Sequence, residues 1–177
     1  ASDVYKRQGP IGLLIVEALR AAGASKIYAV ELSPERQAKA EELGAIVVRP
    51  EEGETIVEAI HRLTGGGADV SYEVTGVPVV LGQALAAVHK AGECMVVSIW
   101  EREASINPNE FAIQEKSLKG IIAYRHIFPK VLELMEQGYF SAEKLVTKKI
   151  KLENIVEEGF IELTQDKSQI KILVQPE

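Results

Sequence analysis

The sequence predicts an α/β domain built on a mostly parallel sheet, and three observations carry that prediction. Short runs rich in Ile, Val and Tyr alternate with amphipathic stretches of about three turns. Glycine or proline stands at nearly every junction between them. No internal repeat or low-complexity tract breaks the alternation. Strands that alternate with helices in this way form βαβ units, whose crossovers cover a parallel sheet.

The elements follow in order. Residues 12–22 are apolar on one helical face, and Gly23 supplies the stop. Residues 26–30 read as a strand. Ser33-Pro34-Glu35 then gives an N-cap, a proline in the first turn and an early acid, and Gly44 ends that helix. A strand is expected at 46–48 and a helix at 55–63, stopped by Gly65-Gly66-Gly67. Residues 70–74, 94–99 and 118–123 read as strands, with a helix at 78–88 between the first two. From Phe140 the style changes to a charged segment with strands at 146–150 and 170–174 and a helix at 154–163. The expected division is a dinucleotide-binding domain at 1–139 and a C-terminal segment of another layer or domain at 140–177.

Composition narrows the function classes. The chain has 177 residues, 46% hydrophobic and 26% charged, as folded domains of common size do. A net charge of −6 and scattered Lys and Arg argue against a nucleic-acid partner. No apolar run approaches the roughly 20 residues that cross a bilayer, so no membrane partner is expected. Residues 1–8 lack a secretory pattern, and the single cysteine, Cys94, fits a reducing compartment. A cytoplasmic location is the expectation.

Chemistry concentrates at one turn. Gly9-Pro10-Ile11-Gly12 opens the first helix and supplies two of the three glycines of G-x-G-x-x-G, with Arg7 at the place of the first. Gly9 lets backbone approach a pyrophosphate, Gly12 lets the helix pack near the sheet, and the helix start offers free N–H groups to phosphate. Alone, the fragment fits a plain structural turn equally well. Glu31 shifts the balance. It closes the second strand about 20 residues downstream, where an acid accepts both ribose hydroxyls of NAD. A carboxylate there also repels a 2′-phosphate, by about 4 kcal/mol at 4 Å and an effective dielectric of 20 before screening. NAD is therefore the expected cofactor. Arg36, in the next helix's first turn, has two readings: stacking on adenine or an ordinary surface arginine.

The runs Gly9 to Leu14, Val30 to Arg36, Glu41 to Ala45, Gly67 to Gly76 and Ala91-Gly92-Glu93 resemble the zinc-dependent medium-chain dehydrogenases, in order and over about nine-tenths of the chain. Within that family, Ala123-Tyr124-Arg125, Phe128-Pro129-Lys130 and Asp166 to Val174 are most similar to butanediol dehydrogenases, with sorbitol and threonine dehydrogenases as near relatives. The resemblance implies a Rossmann-type doubly wound sheet of order 3-2-1-4-5-6 that binds NAD at its switch point. It implies a small-molecule partner, a secondary alcohol or vicinal diol, and pairing of copies through the edge strand at 118–123.

For single residues, it implies that Val74 and Thr75 line the adenosine side of the cofactor. Ser98, Ile99 and Trp100 approach the nicotinamide ribose largely through backbone, and Tyr124 and Arg125 come near the nicotinamide end. The side chains of Val74 and Ile99 are expected in strand core, and Trp100 also reads as an exposed aromatic without a role. Lys171 has two readings, a pyrophosphate contact or a solvated strand-edge lysine. His61 and His89 are expected on helices that cover the sheet, His126 beside Tyr124-Arg125, and Asp69 and Glu73 as loop and strand-edge polarity.

Two departures from the family stand out. The first strand is degraded: Ala1 to Gln8 holds polar or charged residues where buried β-branched ones belong, which suggests foreign sequence at 1–8. The zinc that the resemblance brings to the full-length family finds no ligand set here, since the three histidines lack metal-ligand spacing. No catalytic and no metal-binding residue is therefore assigned. The C-terminal segment reads as returning to an absent catalytic domain, with Val146, Ile150, Phe160 and Leu163 left exposed. A methyltransferase and a non-catalytic nucleotide-binding module are the rival readings from other classes.

Overall fold

The computed structural model describes residues 2–6, 10–140, 142–166 and 168–176, with 2–6 and Ala142 described by backbone alone. The chain opens with β1 (Ser2–Lys6), for which the sequence reading sets no bounds. From there through residue 87 the strands and helices stand close to their expected bounds: α1 (Pro10–Ala21), β2 (Lys26–Val30), α2 (Pro34–Glu42), β3 (Ile46–Val47), α3 (Ile56–Thr64), β4 (Ala68–Glu73) and α4 (Pro78–Ala87). Local chemistry explains the boundaries. Pro34 stands in the first turn of α2. Thr55 and Glu58 form a reciprocal capping box at the start of α3, and Gly65 closes that helix in the left-handed conformation.

β5 (Val88–Val96), α5 (Asn109–Ala112), β6 (Ser117–Gly120) and α6 (Phe128–Glu136) complete the main body. The six strands are all parallel and run in the order β3-β2-β1-β4-β5-β6, so winding reverses between β1 and β4. This is the doubly wound, Rossmann-type sheet. The degraded first strand nonetheless sits at its centre, paired with β2 on one side and β4 on the other. Ladder bonds use backbone groups only, so the polar composition of Ser2–Lys6 does not prevent pairing.

The sheet is covered on both faces. In β2, Ile27 and Ala29 join a core cluster with Leu13, Val16 and Leu43, while Tyr28 between them faces Val48, Ala59 and Ile60. That alternation follows from the two-residue period of a strand. Leu13 and Val16 are fully buried, and each such side chain contributes about 1.5–3 kcal/mol of transfer free energy.

Four expectations are corrected. β5 begins at Val88 directly from α4, so His89 lies on a strand and not on a helix. The alanine- and valine-rich approach to that junction carries no breaker, and the helical period masks it. β5 ends at Val96 rather than 99. The edge strand β6 ends at Gly120: Ile121 still donates to the Val96 carbonyl at 3.1 Å, and Ala123 then takes a left-handed φ of 55°. Helices α5 and α6 were not expected at all; both begin beside prolines, Pro108 and Pro129.

The tail forms α7 (Ala142–Leu145), β7 (Val146–Lys151), a 3₁₀ turn (Leu152–Asn154), a π-helical stretch (Ile155–Ile161), α8 (Glu162–Gln165) and β8 (Lys171–Gln175). β7 and β8 pair in parallel as a separate two-stranded sheet. The tail is nevertheless anchored in the main body, because Leu145 and Ile170 belong to the cluster of Leu13 and Val16. Ile150, expected exposed, is buried with its Cδ1 over Gly159, and Val146 is half-buried. Phe160 and Leu163 are exposed.

Candidate functional site

Strand register gathers the candidate residues along one rim. Lys6 pairs with Val30 on one side and Glu73 on the other, Glu73 with Val96, and Val96 with Gly120. The residues that follow are therefore level at the carboxyl ends of adjacent strands, about 5 Å apart from strand to strand. Glu31 and Val74 flank the exit of β1, and Val97-Ser98 and Ile121 come next along the rim. Open α/β sheets bind ligands at such a rim, where the winding reverses.

α1 is the next element after β1, and its 12 residues begin at Pro10. Gly12 is buried and Ile11 is 55% exposed, so the helix start packs on the sheet by its glycine side and opens to solvent by the other. Gly9 lies outside the described residues. The N–H groups of the first turn have no intrahelical partner, which makes this end a site for an anion.

Glu31 is buried at the end of β2. Its Oε1 accepts from the backbone N–H of Leu32 at 2.7 Å and of Ser33 at 3.0 Å, and the Gln37 side-chain amide donates to its carbonyl at 2.7 Å. The carboxylate is thus held in one orientation by the turn it opens. The alternative role, an acid serving only the helix start, is partly realised too, since these amides precede α2. Arg36 is half-buried in the first turn of α2.

On the other side of β1, Val74 and Thr75 are half-buried. The Thr75 hydroxyl donates to Glu73 at 2.6 Å and accepts from the Val77 N–H at 3.0 Å, just before α4. The Ser98 hydroxyl also donates to Glu73. Both hydroxyls therefore donate inward, to the same carboxylate. Ile99, expected in strand core, is 83% exposed at the rim, because β5 has already ended. Trp100, with no packing role assigned from sequence, packs against the cluster of Leu81, Leu85 and Cys94.

Tyr124 and Arg125 are exposed in the loop after β6, between Ala123 and His126, both of left-handed φ. Tyr124 packs edge-on against Phe128, with ring centroids 6.2 Å apart. Ala123 and Ile127 line an apolar groove together with Pro10 and Ile11 of the α1 start, and Lys171 of β8 opens on the same groove. The loop and the helix mouth are thus brought together, with a cation from the tail beside them.

Sequence reasoning missed Glu73. It is fully buried and is not strand-edge polarity. The available signal was an acid closing a strand and followed by Val74-Thr75-Gly76. Elsewhere, His61 hydrogen-bonds the Ala86 carbonyl at 2.9 Å, tying α3 to α4, and His89 faces Asp69 at 3.2 Å at the opposite end of the sheet. Among the described residues, no group of three or more His, Cys, Asp or Glu stands together to hold a metal ion. No helix among them is long and apolar enough to cross a membrane.

A family model, "Zinc-binding dehydrogenase", matches residues 10–137. The chain belongs to the zinc-binding dehydrogenase family. It is 63% identical over 168 residues to the (R,R)-butanediol dehydrogenase of Bacillus subtilis (strain 168), covering 95% of this chain and 49% of that protein. The (R,R)-butanediol dehydrogenase of Neisseria gonorrhoeae is 37% identical over 172 residues, with 95% and 48% covered. The crystal structure of 2R,3R-butanediol dehydrogenase from Bacillus subtilis superposes with a TM-score of 0.93 at 60% identity, covering 99% of this chain and 51% of that one. The chain spans about half the length of the curated relatives it matches.

Proposed function

We propose that this zinc-binding dehydrogenase chain is the NAD-holding part of an enzyme that moves a hydride between a secondary alcohol or vicinal diol, of the 2,3-butanediol kind, and NAD. The observation that carries the cofactor is the placement of Glu31. A buried carboxylate, fixed by the Leu32 and Ser33 amides, stands on the rim directly after Val30, which pairs with the last residue of β1. It suits the two hydroxyls of an adenosine ribose and opposes a 2′-phosphate. The diol class comes from the 63% identity to a butanediol dehydrogenase.

The residues fit a dinucleotide in their order along the rim. The first turn of α1, from Pro10 through Ile11 to Gly12, meets the diphosphate with N–H groups. Glu31 holds the adenosine ribose, with Arg36 on the adenine side. Val74 and Thr75 wall the middle of the crevice by backbone, and Ser98, Ile99 and Trp100 do so toward the nicotinamide. Tyr124 and Arg125 close that end, and Lys171 adds a positive charge near the diphosphate. When bound, NAD supplies the hydride-accepting ring. The described residues do not fit a zinc site, and no step is assigned through that metal.

In this reading the enzyme is cytoplasmic, consistent with a single, buried Cys94. Two copies pair along β6, the outer strand of the sheet, beyond which Ile121, Ile122 and Phe128 expose apolar side chains.

The test is titration of the purified 177-residue chain with NADH, NADPH and S-adenosylmethionine, followed by Trp100 fluorescence. Saturable, weak binding of NADH is expected, with NADPH weaker, and Glu31→Ala should narrow that preference. Binding of S-adenosylmethionine in place of NADH would overturn the dehydrogenase reading. The chain alone is expected to oxidise no alcohol, so turnover of 2,3-butanediol by it would overturn the absence of catalytic residues.

A further inference from the structure

The group at the rim that no part of the nucleotide reading uses is Glu73. We propose that Glu73 is a positioning residue: its carboxylate fixes the two loops after β4 and β5 so that their backbone meets the nucleotide. This inference rests on the NAD-binding reading above. Glu73 is 0% exposed. Its Oε1 accepts from the Thr75 N–H at 2.6 Å, the Thr75 hydroxyl at 2.6 Å and the Gly76 N–H at 3.0 Å. Its Oε2 accepts from the Ser98 hydroxyl. Its own carbonyl accepts from Val97 N–H at 2.8 Å and from Ser98 N–H at 3.3 Å.

Strand pairing does not need that carboxylate. The ladder between β4 and β5 ends at the pair Glu73 and Val96, and an apolar side chain would fill the same volume without the cost of burying a charge. What the carboxylate adds lies beyond the ladder. Thr75 and Gly76 follow the end of β4, and Ser98 lies past the end of β5, kept there by one backbone bond of 3.3 Å to the Glu73 carbonyl. One side chain ties all three, and through the Thr75 hydroxyl it reaches the Val77 N–H at the mouth of α4. Four donors satisfy the acceptor sites of one carboxylate, so its two oxygens are spent inside the protein. Glu73 therefore touches no ligand and acts through the loops it holds.

The test uses amide NMR spectra of the 177-residue chain titrated with NADH, on the native protein and on Glu73→Leu, Glu73→Gln and Ser98→Ala. In the native protein, NADH should shift the amides of Ile11 and Gly12 and also those of Thr75, Gly76 and Ile99. Glu73→Leu should lose the second set while keeping the first, with affinity about tenfold lower, as expected for losing bonds to a charged acceptor. Glu73→Gln keeps one carbonyl oxygen for Thr75 and Gly76 and should stay within about threefold of native affinity, since that is under one hydrogen bond's worth. Ser98→Ala, which keeps the acid, should lose the Ile99 shift alone and holds the test open should Glu73→Leu not fold.

Native-like affinity in Glu73→Leu or an unchanged Ile99 shift in Ser98→Ala would leave Glu73 a purely structural residue and overturn the inference. Equal losses in Glu73→Gln and Glu73→Leu would do the same, by showing that charge and not bond geometry matters. Shifts at Ile11 and Gly12 without any at Thr75 and Gly76 in the native protein would overturn it while sparing the NAD reading. No shift anywhere would overturn both.

Discussion

Gly76 faces the carbonyl oxygen of Ile99 so closely that a methyl group on its α-carbon would stand 2.8 Å from that oxygen. The contact joins the loop after β4 to the loop after β5, across the rim where the nucleotide is proposed to lie. Gly76 also has a φ of 66°. Left-handed backbone costs a residue with a β-carbon about 1–2 kcal/mol, and here the obstacle is backbone, which cannot swing aside.

Gly76→Ala should therefore destabilise the chain by at least about 1–2 kcal/mol from conformation alone, with the steric push added to it. Urea unfolding measures the loss, and NADH titration should show weaker binding as the two loops separate. A variant as stable as the native chain would mean that the Ile99 loop yields freely, and the rim would then be far softer than its hydrogen bonds suggest.

Much of this architecture is written locally. Helix α1 and the three βα units from β2 to α4 follow from apolar period and punctuation, because Ser33-Pro34, Thr55 with Glu58, and Gly65 act within a few residues of themselves, whereas the strand order came from the family resemblance. Glu31 was legible because its place at the end of β2 fixes its place on the rim. Glu73 was not legible, since its function depends on Ser98, 25 residues away and on another strand. The same holds for His89. An uninterrupted apolar helix pattern runs into β5, and only pairing with β4 reveals the strand. The anchoring of the tail was hidden for a similar reason: nothing local to Leu145 or Ile170 names Leu13 as a neighbour.

At the amino end of the sheet, His89 accounts for a pH dependence that the cofactor rim does not touch. Its ring contacts the Lys90 carbonyl at 2.5 Å and the Asp69 carboxylate at 3.2 Å. Both raise its pKa above the ordinary 6.5, the carbonyl contact most, then the Asp69 bond. A histidine whose pKa is higher folded than unfolded stabilises the fold fully at pH below 6.5, and that contribution fades as pH rises through the folded value. Asp69→Asn should remove part of it, lowering stability at pH 6 more than at pH 8. Urea midpoints across that range measure the effect, and a loss that grew with pH would reverse the assigned sign. Both side chains are partly exposed, so the effect should be small and shrink with added salt.

Leu145 decides whether the tail folds with the main body or apart from it. It stands at the end of α7, 9% exposed, in one cluster with Leu13 and Val16 of α1 and with Ile170 just before β8. Truncating a buried leucine costs about 2–5 kcal/mol, depending on how far the site collapses. Trp100, the single tryptophan, packs in a different cluster under α4 and so reports on the main sheet alone. If the two sheets share their stability through Leu145, Leu145→Ala should lower the unfolding midpoint seen by Trp100 fluorescence and by far-UV circular dichroism together. A tail that melted early while the Trp100 transition stayed in place would show the opposite. The contact at Leu13 would then be a docking surface that the main sheet does not need, and residues 140–177 would fold as a unit of their own.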